Sequence, residues 1–194
     1  MTEKPIERLD AFERIMQGMI RKTSESFTAL QKQLKELIDW ISIDDFLQYY
    51  KTGTQLVRRI ELFINNYLAI EHHIANISTV IQQQRDIIPD QYYGRLYGSI
   101  ATFYSQVKQD LINNAHRMKA FVEQLEAAWS QATETTDREA QRRAVDGLAE
   151  ATRKYLEGME NHVRGVARVV LSFYSREFKQ YRNIRNFYID KHKN

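Results

Sequence analysis

Apolar side chains recur along this chain at alternating steps of three and four, the spacing that keeps them on one face of an α-helix. The first run is Leu9, Phe12, Met16 and Met19, then, past a polar Thr23, Phe27, Leu30, Leu34, Leu37 and Ile41. Gln, Lys, Glu, Arg and Ser fill the opposite face. This pattern predicts an amphipathic helix of roughly 35 residues over 6–41, with Pro5 as its natural starting point. The phase is lost at 41–45, where Ser42 and Asp45 form a capping-box-like pair. A kink and a restart both fit there, because no glycine or proline forces a stop.

The seam then resumes almost without error as Leu56, Ile60, Phe63, Tyr67, Ile70, Ile74, Ile77 and Ile81. Such a run predicts a second helix over 43–85, bound lengthwise to another helix. The Asp86-Ile87-Ile88-Pro89-Asp90 stretch is the clearest break, since proline disfavours a helical residue before it and can open the next helix. A third helix is predicted over 90–131, carrying Tyr93, Leu96, Ile100, Phe103, Val107, Leu111, Met118, Phe121, Leu125 and Trp129. The polar 132–137 segment is the next turn. A fourth helix over 136–188 keeps Val145, Leu148, Tyr155, Met159, Val163, Val166, Val170, Phe173, Tyr181, Ile184 and Tyr188 in phase with no proline. At about 1.5 Å per residue it is roughly 80 Å long.

These elements give an all-α fold, an elongated antiparallel helical bundle or coiled coil of three to four long helices. Its expected division is an N-terminal amphipathic helix over 1–41 and a three-helix coiled-coil bundle over 42–194. Two prolines and seven glycines in 194 residues favour few, long helices over many short strands. Without cysteine there are no disulfides or thiolate metal sites. No apolar run approaches the roughly 20 residues of a membrane span, and the N-terminus lacks a signal-peptide core. The expected location is therefore cytoplasmic.

Motifs for catalysis are missing. There is no Gly-rich phosphate loop, no Gly-x-Ser-x-Gly elbow and no zinc-protease pairing of histidines. His72 and His73 are adjacent and point about 100° apart on a helix, so they cannot share a metal. No Glu is followed three residues later by His, which argues against a di-iron bundle. The expectation is a non-enzyme without cofactor. In Tyr92-Tyr93-Gly94-Arg95-Leu96-Tyr97-Gly98 the glycines suggest close helix approach or bending, and the tyrosines half-buried packing rather than base stacking.

Charge changes the picture at the C-terminus. From Arg164 onward eight Lys or Arg face two acids, and a helical projection places Arg164, Arg168, Arg176, Lys179, Arg182 and Arg185 on one half of the helix. Val163, Val166, Val169, Val170, Phe173, Tyr174, Phe178, Tyr181, Ile184, Phe187 and Tyr188 fall on the other. The basic half is a solvated face or a contact for an extended anionic surface. Nucleic acid is disfavoured, because no recognition motif accompanies the stripe.

With the helices laid out, the chain resembles a BAR domain, most like the C-terminal membrane-bending domain of sorting nexins. The closest local likeness is the run from Val169 to Tyr181, in which an aromatic, a basic residue and a further aromatic recur. Residues 43–85, 90–131 and 136–188 would be the family's three long helices, and 6–41 an extension of the first or the amphipathic helix before it. The middle helices are shorter than the family pattern. The resemblance implies a homodimer or heterodimer formed through helix seams, binding anionic membrane and sensing or inducing curvature in trafficking, with peripheral, endosomal localisation. By position it implies lipid contacts at Arg95, Lys108, Arg117, Lys119, Arg138, Arg142, Arg143, Arg153 and Lys154. The alternative is a soluble helical-bundle adaptor, whose leftover apolar stripe on Leu9 to Ile41 receives a partner helix.

Overall fold

The three-and-four spacing resolves into four α-helices in the computed structural model, which describes residues 3–41 and 49–191. They are α1 (Glu3–Ile41), α2 (Tyr49–Gln83), α3 (Asp90–Glu134) and α4 (Arg138–Lys191), and no strand occurs among the described residues. The all-α bundle expected from the spacing is what forms. The Ser42 and Asp45 pair lies outside the described residues.

The chain forms two compact units, each drawing one stretch from every helix. The first unit comprises Met1–Ser26, Ile70–Asp110 and Val166–Asn194. Within it, α1 meets α2 antiparallel: Arg8 forms a bidentate pair with Asp86 at 2.6 and 2.9 Å, and Ser26 lies 3.3 Å from His73. Phe12 packs on Tyr181, and the Arg185 Nε donates to Asp10 at 2.8 Å, so α1 also runs against α4. Phe103 stacks on Phe173 with ring centres 3.7 Å apart, while Tyr92 meets Phe187 edge-on, joining α3 to α4. The α2–α3 turn is anchored by the buried Ile87 and Ile88, and the Tyr188 hydroxyl donates to the Ile87 carbonyl at 2.7 Å. Pro89 ends this turn, its carbonyl accepting the first helical bonds from Tyr92 and Tyr93.

The second unit comprises Phe27–Ala69 and Leu111–Gly165. Here Asn66 donates to Gln33 at 3.1 Å and Arg59 lies over the Trp40 ring, again pairing α1 with α2 antiparallel. Phe121 stacks on Tyr155, and the Asn114 amide lies 2.8 Å from His162 Nε2, pairing α3 with α4. The Tyr67 hydroxyl reaches the same nitrogen at 3.3 Å. Asp137 caps α4 by accepting from the Glu139 amide at 3.0 Å. The preceding helix runs to Glu134, past the expected end at 131, because Ala132 is buried and the Thr133 hydroxyl returns to the Trp129 and Ser130 carbonyls.

Two expectations change. The division at residue 41 does not describe how the core is built: Leu9, Phe12, Met16, Phe27, Leu30, Leu34 and Leu37 of α1 are all buried, so α1 is a full wall of each unit. The stripe on 9–41 is therefore covered within the chain. The break in its pattern, Thr23, is also buried, its hydroxyl donating to the Met19 carbonyl. The close-approach glycine is likewise a different one. A Cβ at Gly94 or Gly98 would meet nothing, whereas one at Gly53 would overlap the Trp129 indole.

Two measurements follow from this packing. Leu34→Ala, at a side chain with 0% exposure, costs about 2–5 kcal/mol in urea unfolding, while Leu62→Ala, at a 56% exposed one, stays within about 0.5 kcal/mol; equal costs would mean that α1 is not packed. Gly→Ala normally stabilises a helix interior by about 0.8–1 kcal/mol. Gly98→Ala follows that rule in a thermal melt, and Gly53→Ala reverses it by about 1–3 kcal/mol, because the indole must move.

Candidate anion-binding surface

Whether a surface cation is available to a ligand depends first on the acids one turn away. Glu150 and Glu157 lie three residues before and four after Arg153, and both hold its guanidinium at 2.7 Å. Glu150 also takes Lys154 at 3.4 Å, Asp146 faces Arg142 at 3.9 Å, and Glu160 holds Arg164 at 2.7 Å. These are local helix pairs, individually weak but sufficient to occupy the charge. The hydrogen bond to Arg153 holds Glu150 below its ordinary pKa and raises that of Arg153.

Three further expected contacts are engaged across or along helices of the first unit. Arg185 is held by Asp10, Arg176 Nε donates to Glu177 at 3.3 Å, and Lys108 lies 3.5 Å from Glu71. The last belongs to a small network in which the Tyr104 hydroxyl donates to Glu71. That hydrogen bond keeps the Glu71 carboxyl below its ordinary value despite opposing desolvation, with Lys108 adding to the effect. The same bond raises Tyr104.

Of the expected contacts, those without an ion pair among the described residues are Arg95, Arg168, Lys179 and Arg182 in the first unit, and Arg117, Lys119, Arg138 and Arg143 in the second. Arg168, Lys179 and Arg182 share one face of α4, because offsets of eleven and fourteen residues return to within about 40° of the start. Ser172, Ser175 and Asn186 complete that exposed face. Between Val166 and Ile189 the only acid is Glu177, which is 5% exposed and held by Arg176 and Gln180. Within this stretch of α4 itself no exposed acid interrupts the positive face. Val169, expected on the core half, is instead 57% exposed beside it.

Two concavities border this face. Between α3 and α4, Gly98, Thr102, Gln106, Ser172 and Arg176 surround the Phe103–Phe173 stack in a groove of about 660 Å³. Between α1 and α4, a groove of about 770 Å³ brings Arg182 and Arg185 together with Arg14. Arg14, with Gln17 beside it, escapes a reading of charge runs because it stands alone in sequence. Its signal is positional: Asp10, Glu13, Arg14 and Gln17 share one flank of α1 outside the seam.

No protein-family model, no curated protein and no solved structure matches this chain. Among the described residues no helix is long and apolar enough to cross a membrane.

The Glu71 network makes a pH-dependent prediction. A depressed carboxylate contributes stability above its ordinary pKa of 4.5, and loses it as the pH falls through the lower folded value. Tyr104→Phe removes the bond, so the variant is less stable by about 1 kcal/mol at pH 7. The gap to the unaltered protein closes as the pH drops below that value, which denaturant midpoints across the acid range would read.

Proposed function

We propose that this protein is a non-enzymatic helical scaffold that binds anionic phospholipid surfaces through the exposed face of α4. The observation that carries the reading is the stripe of Arg168, Lys179 and Arg182, unpaired and without an exposed acid from Val166 to Ile189. Long flexible cations on a rigid helix suit a diffuse anionic surface, where each contributes about 1 kcal/mol near the headgroups. The binding is a sum of weak electrostatic contacts and involves no chemistry.

The BAR-like pattern extends the proposal to dimerisation, to sensing or inducing curvature, and to a peripheral place on endosomal membranes. The seams are buried within each unit. A dimer therefore uses surfaces outside them, such as the flanks bearing Ile15, Leu62 or Val169, the large apolar side chains left exposed among the described residues. The adaptor reading loses its specific support, because the apolar stripe of α1 is already covered.

Vesicle co-sedimentation tests the reading. Phosphatidylserine vesicles retain the protein at low salt and release it as salt rises. Arg168→Gln, Lys179→Gln and Arg182→Gln combined weaken the binding roughly a hundredfold. Arg153→Gln, which removes a cation already held by two glutamates, changes it by less than about twofold. Binding that ignores salt, or that the triple variant leaves intact, contradicts the proposal.

A further inference from the structure

We infer that the groove between α1 and α4 of the first unit is a binding site for a phosphomonoester group. The ligand class deepens the reading of α4 as an anionic-lipid surface and rests on it where the phosphomonoester is a headgroup; Arg182 belongs to both surfaces. Three guanidiniums, those of Arg14, Arg182 and Arg185, line one concavity from two helices, with the side-chain amides of Gln17 and Asn186 beside them. Its volume of about 770 Å³ is within the range of small-molecule sites.

The two acids of the groove are already engaged. Asp10 accepts from Arg185 Nε at 2.8 Å, and Glu13 takes the Gln17 amide at 3.5 Å. Arg185 keeps the terminal N–H groups of its fork, since only Nε is used. Arg14 and Arg182 have no ion-pair partner among the described residues. Three guanidiniums against the carboxylates of Asp10 and Glu13 leave the groove one net positive charge, and the three terminal oxygens of a phosphomonoester give both free guanidinium forks a partner. The planar guanidinium fork also fits phosphate oxygens two at a time. A phosphodiester headgroup offers only two terminal oxygens to the same forks.

Phosphatidic acid in a bilayer and a free phosphomonoester such as glycerol 3-phosphate present the same group, and the full chain distinguishes them. Vesicles containing phosphatidic acid are compared with phosphatidylserine vesicles of matched charge, and glycerol 3-phosphate is titrated while amide resonances are followed. The expected result is about a tenfold preference for phosphatidic acid, together with resonance shifts confined to residues 14–17 and 182–186. Arg14→Gln removes the preference and weakens glycerol 3-phosphate about tenfold, yet leaves phosphatidylserine binding unchanged. Arg168→Gln lies on the stripe but outside the groove, and weakens both vesicles alike. Glycerol 3-phosphate binding without vesicle binding upholds the site for a soluble ligand and removes the membrane reading. Vesicle binding without phosphatidic acid preference, with no groove shift on glycerol 3-phosphate, overturns the site and leaves the membrane reading standing. Absence of groove shifts overturns the site whatever the vesicles do, as does an Arg14→Gln variant that is folded and binds like the parent.

Discussion

Each of the four helices carries an apolar seam that water must not reach, and the seam of α1 constrains the rest. Leu9, Phe12, Phe27, Leu30 and Leu34 leave almost no surface exposed, with α1 lying against α2 in both units and against α4 in the first. A buried aliphatic or aromatic side chain is worth about 1.5–3 kcal/mol, so a slip of α1 by one residue would turn several of these out of the core at once. The register is therefore fixed by packing. Once it is fixed, charged groups at the rim have no choice of neighbour: Arg8 meets Asp86, and Asp10 meets Arg185. The same register brings Arg14 to the groove that Arg182 lines.

That order of causes explains which cations remain free. Ion pairs on exposed helix faces contribute a few tenths of a kcal/mol, too little to position a helix but enough to occupy a guanidinium. Along 146–160 of α4 acids recur at three and four residues from the cations, so Arg142, Arg153, Lys154 and Arg164 are neutralised by their own helix. From Val166 to Ile189 the only acid is the buried Glu177. The positive face of the first unit is a consequence of missing acids more than of added bases.

Much of this was legible in the sequence, and the limits have a physical origin. Local periodicity identifies an element and its buried stripe, which is why Leu56 to Ile81 and, apart from the half-buried Met19, the apolar positions from Leu9 to Ile41 are core as expected. The α2–α3 break was readable from Pro89, whose effect is on its own backbone. Pairings between distant helices were not: Arg185 and Asp10 are 175 residues apart, and nothing local to either predicts the other. Val169 was misplaced because the projection treats half the helix as core, whereas the seam followed by Val163, Ala167, Val170 and Tyr174 is narrower. Gly53 is silent in sequence, because its importance lies in the Trp129 indole contributed by α3.

The interior of the first unit is less well satisfied than its apolar seams suggest, and the defects gather on α4. Tyr174 and Tyr181 bury their hydroxyls without a hydrogen bond to protein, as does Ser78 on α2. Glu177 stands between the two tyrosines on the same seam, where an aliphatic side chain would pack without desolvation. Burial pushes both phenols far above their ordinary pKa, with Glu13 and Asp10 adding to the effect on Tyr181. Unpaired buried polar groups cost on the order of 1–3 kcal/mol each, so this stretch is not the arrangement that stability alone would select. Its inner face carries Tyr174, Glu177 and Tyr181; its outer face carries Arg168, Lys179 and Arg182. Departures from consistent packing tend to mark functional sites. An anion bound only by the folded state would offset part of the deficit through mass action. The stretch of α4 that gives up stability inside is thus the same stretch that can recover it from a ligand outside.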